Sequence, residues 1–126
     1  MLEREIIIAD GAPKALGPYS HGVKAGDFIF TAGQIGLDPE TNKLVDGVKA
    51  QTTRSLENLQ IILKSVGSSL DRSVKVTVFV SDLSNFSLVN EVYKEFFVGE
   101  CPGRSCVEVS NLPAGALVEI EVVALA

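Results

Sequence analysis

The chain is poor in the side chains that most often carry chemistry. Its 126 residues include one histidine, two cysteines, one methionine and no tryptophan, and aromatic residues make up only 6%. A lone imidazole and two thiols without CxxC spacing cannot furnish a common zinc site, so no metal is expected. Cys101 and Cys106 are also too few for a disulfide scaffold, and a reduced, cytoplasmic setting is the expectation. Positive charge is scarce: 11 Lys and Arg face 16 Asp and Glu, a formal net charge of −5. Such a chain has no field to gather phosphate backbones, so nucleic acid is not an expected partner. No run of about 18 apolar residues is present, and no membrane span is expected. The opening MLEREIIIAD mixes acids with bases and fits neither a signal peptide nor a transit peptide. Nucleotide loops are missing as well, since TAGQIG at 31–36 matches neither the Walker pattern nor GxGxxG.

What is there reads as a globular domain over residues 1–126, with 46% hydrophobic and 21% charged residues. The β-branched run Ile6-Ile7-Ile8 predicts a first strand at 5–9. Residues 20–24 and 27–32 predict a hairpin turning at Ala25-Gly26. Phe28-Ile29-Phe30 is apolar on both faces, so this strand should be central or covered twice. Gly33-Gln34-Ile35-Gly36 should end it. Val48, Thr52, Leu56, Leu59, Leu63 and Val66 recur at helical steps, which predicts a helix over 46–66 stopped by Gly67. Val74, Val76, Val78 and Val80 alternate and predict a strand. Asp82 to Asn85 offer caps for a second helix over 86–98, with Phe86, Val89, Tyr93 and Phe96 along one side. Strands at 104–109 and 117–124 complete the order β-β-β-α-β-α-β-β. Two amphipathic helices on one face of a mixed sheet make an α+β sandwich. The other sheet face then needs cover, which in so small a chain is expected from other subunits.

The segment Cys101–Val109, CPGRSCVEV, carries the sharpest chemical signal. Strand alternation puts Arg104, Cys106 and Glu108 on one face. A guanidinium at a strand start can present parallel N–H donors to a carboxylate, or simply pair with a surface acid. Glu119 sits among β-branched residues in LVEIEVVALA, either as a solvated edge acid or as a partly enclosed carboxylate that orients water. Tyr19 follows Gly17-Pro18 in a loop, with its ring packed on the core or its hydroxyl on a ligand. Gly33 admits a close approach or serves a turn. Asn90 flanks the apolar stripe of the second helix, reaching a ligand or closing a polar edge. His21 reads as a strand-surface histidine, and is the sole imidazole that could activate Cys106 as a nucleophile.

Taken together, ALGPYSHGV at 15–23, FTAGQIGLDPETNKLV at 30–45, VSDLSNF at 80–86, VNEVYKEFF at 89–97 and PGRSCVEVSNLPAGALVEIEVVA at 102–124 resemble the RidA (YjgF/YER057c/UK114) family over nearly the whole chain. The resemblance implies a chorismate-mutase-like fold, a homotrimer with ligand sites between subunits, and neither metal nor cofactor. It implies hydrolysis of 2-iminobutanoate and 2-iminopropanoate to 2-oxo acids and ammonia, protecting pyridoxal-phosphate enzymes. Arg104 matches the arginine that clamps the substrate carboxylate, and Cys106 matches the cysteine whose backbone N–H helps hold it. Glu119 matches the acid that positions water. Tyr19 matches the tyrosine that lines the cleft from an adjacent subunit, and Gly33 and Asn90 match further lining positions. PGR stands where PAR is usual, which should loosen the approach to Arg104, and TAGQ stands where SGQ is common. Ribonuclease or translation-inhibitor activity, and non-catalytic carboxylate binding or chaperoning, are the competing readings.

Overall fold

The computed structural model describes residues 3–126. Its elements are β1 (Arg4–Ile7), β2 (Gly22–Ala25), β3 (Phe28–Thr31), β4 (Gln34–Ile35), α1 (Val48–Lys64), β5 (Ser73–Val80), α2 (Phe86–Phe96), β6 (Gly103–Glu108) and β7 (Val118–Leu125). They form one mixed sheet in the order β1-β2-β3-β7-β5-β6, with β4 pairing β7 off that path. Among the described residues only β5 and β6 run parallel, because α2 carries the chain back over the sheet between them. The last strand therefore lies inside the sheet, between β3 and β5.

Alternation decides the layers. Val76, Val78 and Val80 of β5, with Val118, Ile120, Val122 and Ala124 of β7, point to one face and are at most 2% exposed. There they meet Leu56, Leu59, Ile62 and Leu63 of α1 and Val89 and Tyr93 of α2. The α1 stripe is the expected one up to Leu63. Val66 lies past the helix end and is exposed, because Gly67 turns left-handed (φ +80°) while Ser68 N–H bonds back to the Leu63 carbonyl at 2.9 Å.

Several boundaries differ from the sequence reading. β1 ends at Ile7 and α2 at Phe96. Asp82 caps a 3₁₀ turn, accepting from Ser84 N–H at 2.9 Å, and α2 starts only after that turn. The two residues Gln34 and Ile35, read as a strand end, form β4 instead. Tertiary packing makes this strand, since a Cβ on the following Gly36 would lie 2.6 Å from the Gln51 Cα of α1. Helix and loop touch backbone to backbone there.

β3 is interior to the sheet, as expected, yet only its Ile29 is buried. Phe28 and Phe30 face away from the helices and are 40% and 47% exposed. Val107 of β6 lies exposed on the same face, so the chain by itself leaves this face open. His21 contradicts its reading as a surface residue. It precedes β2, is buried, and has both ring nitrogens bonded to backbone.

Candidate functional site

The candidate residues fall into two clusters on opposite faces of the sheet. Arg104 is in register with Val76, whose side chain lies in the core, so Arg104 points to the helix side. Glu119 is in register with Phe79, between the buried Val78 and Val80, so it points the other way. Within one chain the sheet stands between the guanidinium and the carboxyl.

The arginine cluster is built by β6 and α2. Arg104 Nη1 donates to Asn90 Oδ1 at 2.7 Å. Its guanidinium carbon lies 4.6 Å from the Tyr93 ring centre and 5.4 Å from that of Phe86. Phe86, Asn90 and Tyr93 are spaced four and three apart, so one helix face cradles the cation with two rings and one amide oxygen. This uses one of the five guanidinium donors and leaves the others for a ligand. Asn90 thus meets the arginine, which neither sequence reading of it foresaw. The sequence marks Phe86 and Tyr93 only as an apolar side of the helix, and their helical spacing with Asn90 is the signal that links them to Arg104. Arg104, Asn90 and Tyr93 line a shallow hollow of about 380 Å³, with Cys101 at its margin.

Cys106 lies two residues along β6, half-buried beneath the arginine. Burial pushes its thiol up, and the Arg104 charge only partly opposes this. A thiol so shifted makes little thiolate. The sole candidate imidazole is engaged elsewhere: His21 Nδ1 accepts from Ala9 N–H at 2.9 Å and Nε2 bonds the Pro13 carbonyl at 2.7 Å. Nucleophilic pairing of Cys106 with His21 is therefore excluded. The Cys106 backbone is better placed. Val109 N–H donates to Val80 O at 2.9 Å across the β5 side, and alternation turns the N–H groups of Cys106 and Arg104 to the opposite edge. β6 is the last strand of the sheet, so that edge is open. Burial also pushes the Tyr93 hydroxyl up to about 12, with Arg104 opposing. That oxygen has no hydrogen-bond partner among the described residues.

The glutamate cluster gathers Tyr19, Gly33 and Glu119 around a cavity of about 270 Å³, walled chiefly by Pro13, Leu16, Ile35 and Pro113. Gly33 is there for the acid. A Cβ at that position would lie 2.8 Å from Glu119 Cδ and 2.9 Å from Cγ. The carboxyl therefore rests on the Gly33 backbone. Its proton affinity is raised, first by burial and then by the neighbouring Glu121. A carboxyl that holds its proton more tightly than usual is suited to proton transfer nearer neutral pH. Tyr19 is 45% exposed at the mouth, and its hydroxyl accepts from Leu16 N–H at 3.0 Å. Its own O–H proton remains available to donate.

No cluster of three or more His, Cys, Asp or Glu side chains among the described residues is arranged to hold a metal ion. No helix among them is long and apolar enough to cross a membrane.

Comparison with known proteins places these features. The family described as Endoribonuclease L-PSP matches residues 9–126. A RutC family protein of Pyrococcus abyssi is 49% identical over 124 residues, 98% of each chain. The 2-iminobutanoate/2-iminopropanoate deaminase of Salmonella typhimurium is 43% identical over 94% of this chain and 95% of that one. Among solved structures, Escherichia coli TdcF with bound serine superposes with a TM-score of 0.92 at 42% identity, covering 97% of this chain and 98% of that one. With the fold, the motifs and the extent of these matches in agreement, the chain belongs to the RidA family, the group also described as endoribonuclease L-PSP.

Proposed function

We propose that this protein hydrolyses small, reactive 2-imino acids such as 2-iminobutanoate and 2-iminopropanoate, in sites formed where copies of the chain meet in a homotrimer. The reading rests on one observation: the chain offers a held guanidinium and a partly buried carboxyl of raised proton affinity on opposite faces of its sheet. Each half is incomplete alone. A second copy laid on the open sheet face and β6 edge would bring the Glu119 cluster of one chain to the Arg104 cluster of the next. Phe28, Phe30 and Val107 make that face apolar enough to bury.

In such a site the guanidinium, steadied by Asn90 and the two rings, binds the substrate carboxylate through two parallel N–H groups. The outward Cys106 N–H adds a third donor. Tyr19 donates its hydroxyl proton from the other copy. A protonated imine carbon is already electrophilic, so the remaining need is one positioned water. Glu119 takes a proton from that water as it adds to carbon and returns one to nitrogen as the bond breaks. The balance is R–C(=NH₂⁺)–COO⁻ + H₂O → R–C(=O)–COO⁻ + NH₄⁺. Serine bound in TdcF supports a small carboxylate ligand, and the deaminase name of the Salmonella relative supports the reaction. Ribonuclease activity is disfavoured by the net charge of −5.

The test is hydrolysis of 2-iminobutanoate released by threonine dehydratase. Arg104→Ala and Glu119→Ala should each abolish it while light scattering shows an unchanged oligomer. Refolding the two variants together should recover activity, because some mixed oligomers then contain a site with both wild-type halves. Full activity in Arg104→Ala, or no recovery on mixing, overturns the proposal.

A further inference from the structure

The segment from Ala9 to Tyr19 walls the glutamate cavity with Pro13 and Leu16 and carries Tyr19 to its mouth. The bonds it makes within itself are short-range. Ala12 N–H reaches the Ala9 carbonyl at 3.4 Å, Tyr19 N–H the Gly17 carbonyl at 2.9 Å, and Leu16 N–H the Tyr19 hydroxyl at 3.0 Å. His21 ties this segment to the sheet. The residue is 5% exposed. Its Nδ1 accepts from Ala9 N–H at 2.9 Å and its Nε2 bonds the Pro13 carbonyl at 2.7 Å. An amide N–H can only donate and a carbonyl can only accept, so the ring is neutral with its proton on Nε2. The His21 carbonyl meanwhile accepts from Ala32 N–H at 2.9 Å, next to the Gly33 backbone on which Glu119 rests. One residue thus joins the Tyr19 loop to the Glu119 support.

We propose that His21 is a positioning residue that fastens residues 9–19 to the sheet and acts on the reaction through Tyr19. The proposal rests on the reading above that Tyr19 serves the imine site. Glutamine is the informative replacement, because the oxygen and nitrogen of its carboxamide are spaced like the two ring nitrogens and supply one acceptor and one donor. Leucine fills the space and leaves a buried N–H and a buried carbonyl unpaired.

The experiment measures kcat/KM for His21→Leu and His21→Gln, each in the wild-type and Tyr19→Ala backgrounds. His21→Leu should lower kcat/KM by about 10-fold in the wild-type background, the scale of a displaced contact group. His21→Gln should stay within about threefold of wild type, and in Tyr19→Ala the leucine change should cost less than about twofold, since contributions through a shared partner are not additive. Nitrogen-15 spectra should show the ring protonated on Nε2 alone. The Ala9 amide should resist hydrogen exchange in the wild type and His21→Gln, and lose that protection in His21→Leu. Equal losses in both backgrounds, a proton on Nδ1, or an unprotected Ala9 amide in the wild type would overturn the proposal. A wild-type rate for Tyr19→Ala would overturn the role given to Tyr19, and with it the claim that His21 acts through it. The ring and amide signals would then still pass or fail the fastening itself.

Discussion

Replacing Gly33 by alanine isolates the support under Glu119. The Gly33 backbone is not in the left-handed region, so alanine brings no conformational strain of its own. Its methyl group would lie 2.8 Å from Glu119 Cδ, whereas carbon atoms rest about 3.5–4.0 Å apart. The carboxyl must therefore retreat by roughly 0.7 Å or more, and a shift approaching 1 Å in a catalytic group costs up to about 100-fold in rate. We expect Gly33→Ala to lower kcat for 2-iminobutanoate by between about 10- and 100-fold. Binding of 2-oxobutanoate, held through Arg104 from the other cluster, should change little. The assay is steady-state hydrolysis of imine generated in place, with calorimetric titration of the 2-oxo acid. Repeating the change in Glu119→Ala removes the group that the methyl displaces, so the drop in melting temperature that Gly33→Ala causes in the wild-type background should vanish there. A wild-type kcat in Gly33→Ala, or the same drop in melting temperature in the Glu119→Ala background, would refute the reasoning.

Three further outcomes follow from the geometry. Tyr93→Leu should raise KM several-fold, since a cation over a ring contributes about 0.5–2 kcal/mol. Tyr93→Phe should not, because it keeps the ring and deletes only an unpartnered hydroxyl; equal losses in both variants would show that the ring does not hold Arg104. Glu119→Gln should abolish turnover yet raise the melting temperature near pH 7. A carboxyl whose folded-state affinity for its proton is raised costs stability once pH climbs above its unfolded value, so the gain should fade towards about pH 4 and its absence at neutral pH would contradict the assigned burial. Gly103→Ala places a methyl no closer than 3.7 Å to its neighbours, and should stabilise the fold by about 0.4–1 kcal/mol while leaving turnover intact. A lowered melting temperature would show a constraint at Gly103 that the strand geometry does not contain.

The periodic elements were legible in the sequence. The valine alternation of β5 and the three- and four-residue steps of α1 each bury a face whose period is set by local backbone geometry. Family motifs singled out Arg104, Glu119, Tyr19, Gly33, Asn90 and Cys106, and family membership stands on the extent of the matches. β4 was not legible, because two residues have no period to read and the strand exists only through its pairing with β7 and the contact of Gly36 with α1.

The sequence by itself determined which residues alternate on each strand and which side chains share a helix face, since both depend on neighbours along the chain. It could not set Glu119 against Arg104, because strand register and order depend on partners far apart in sequence. Only the tertiary structure decided that β7 enters between β3 and β5, with Glu119 turned from the helices and Arg104 turned towards them. It likewise decided that His21 is buried between Ala9 and Pro13, a contact made by the path of a loop that no local pattern encodes.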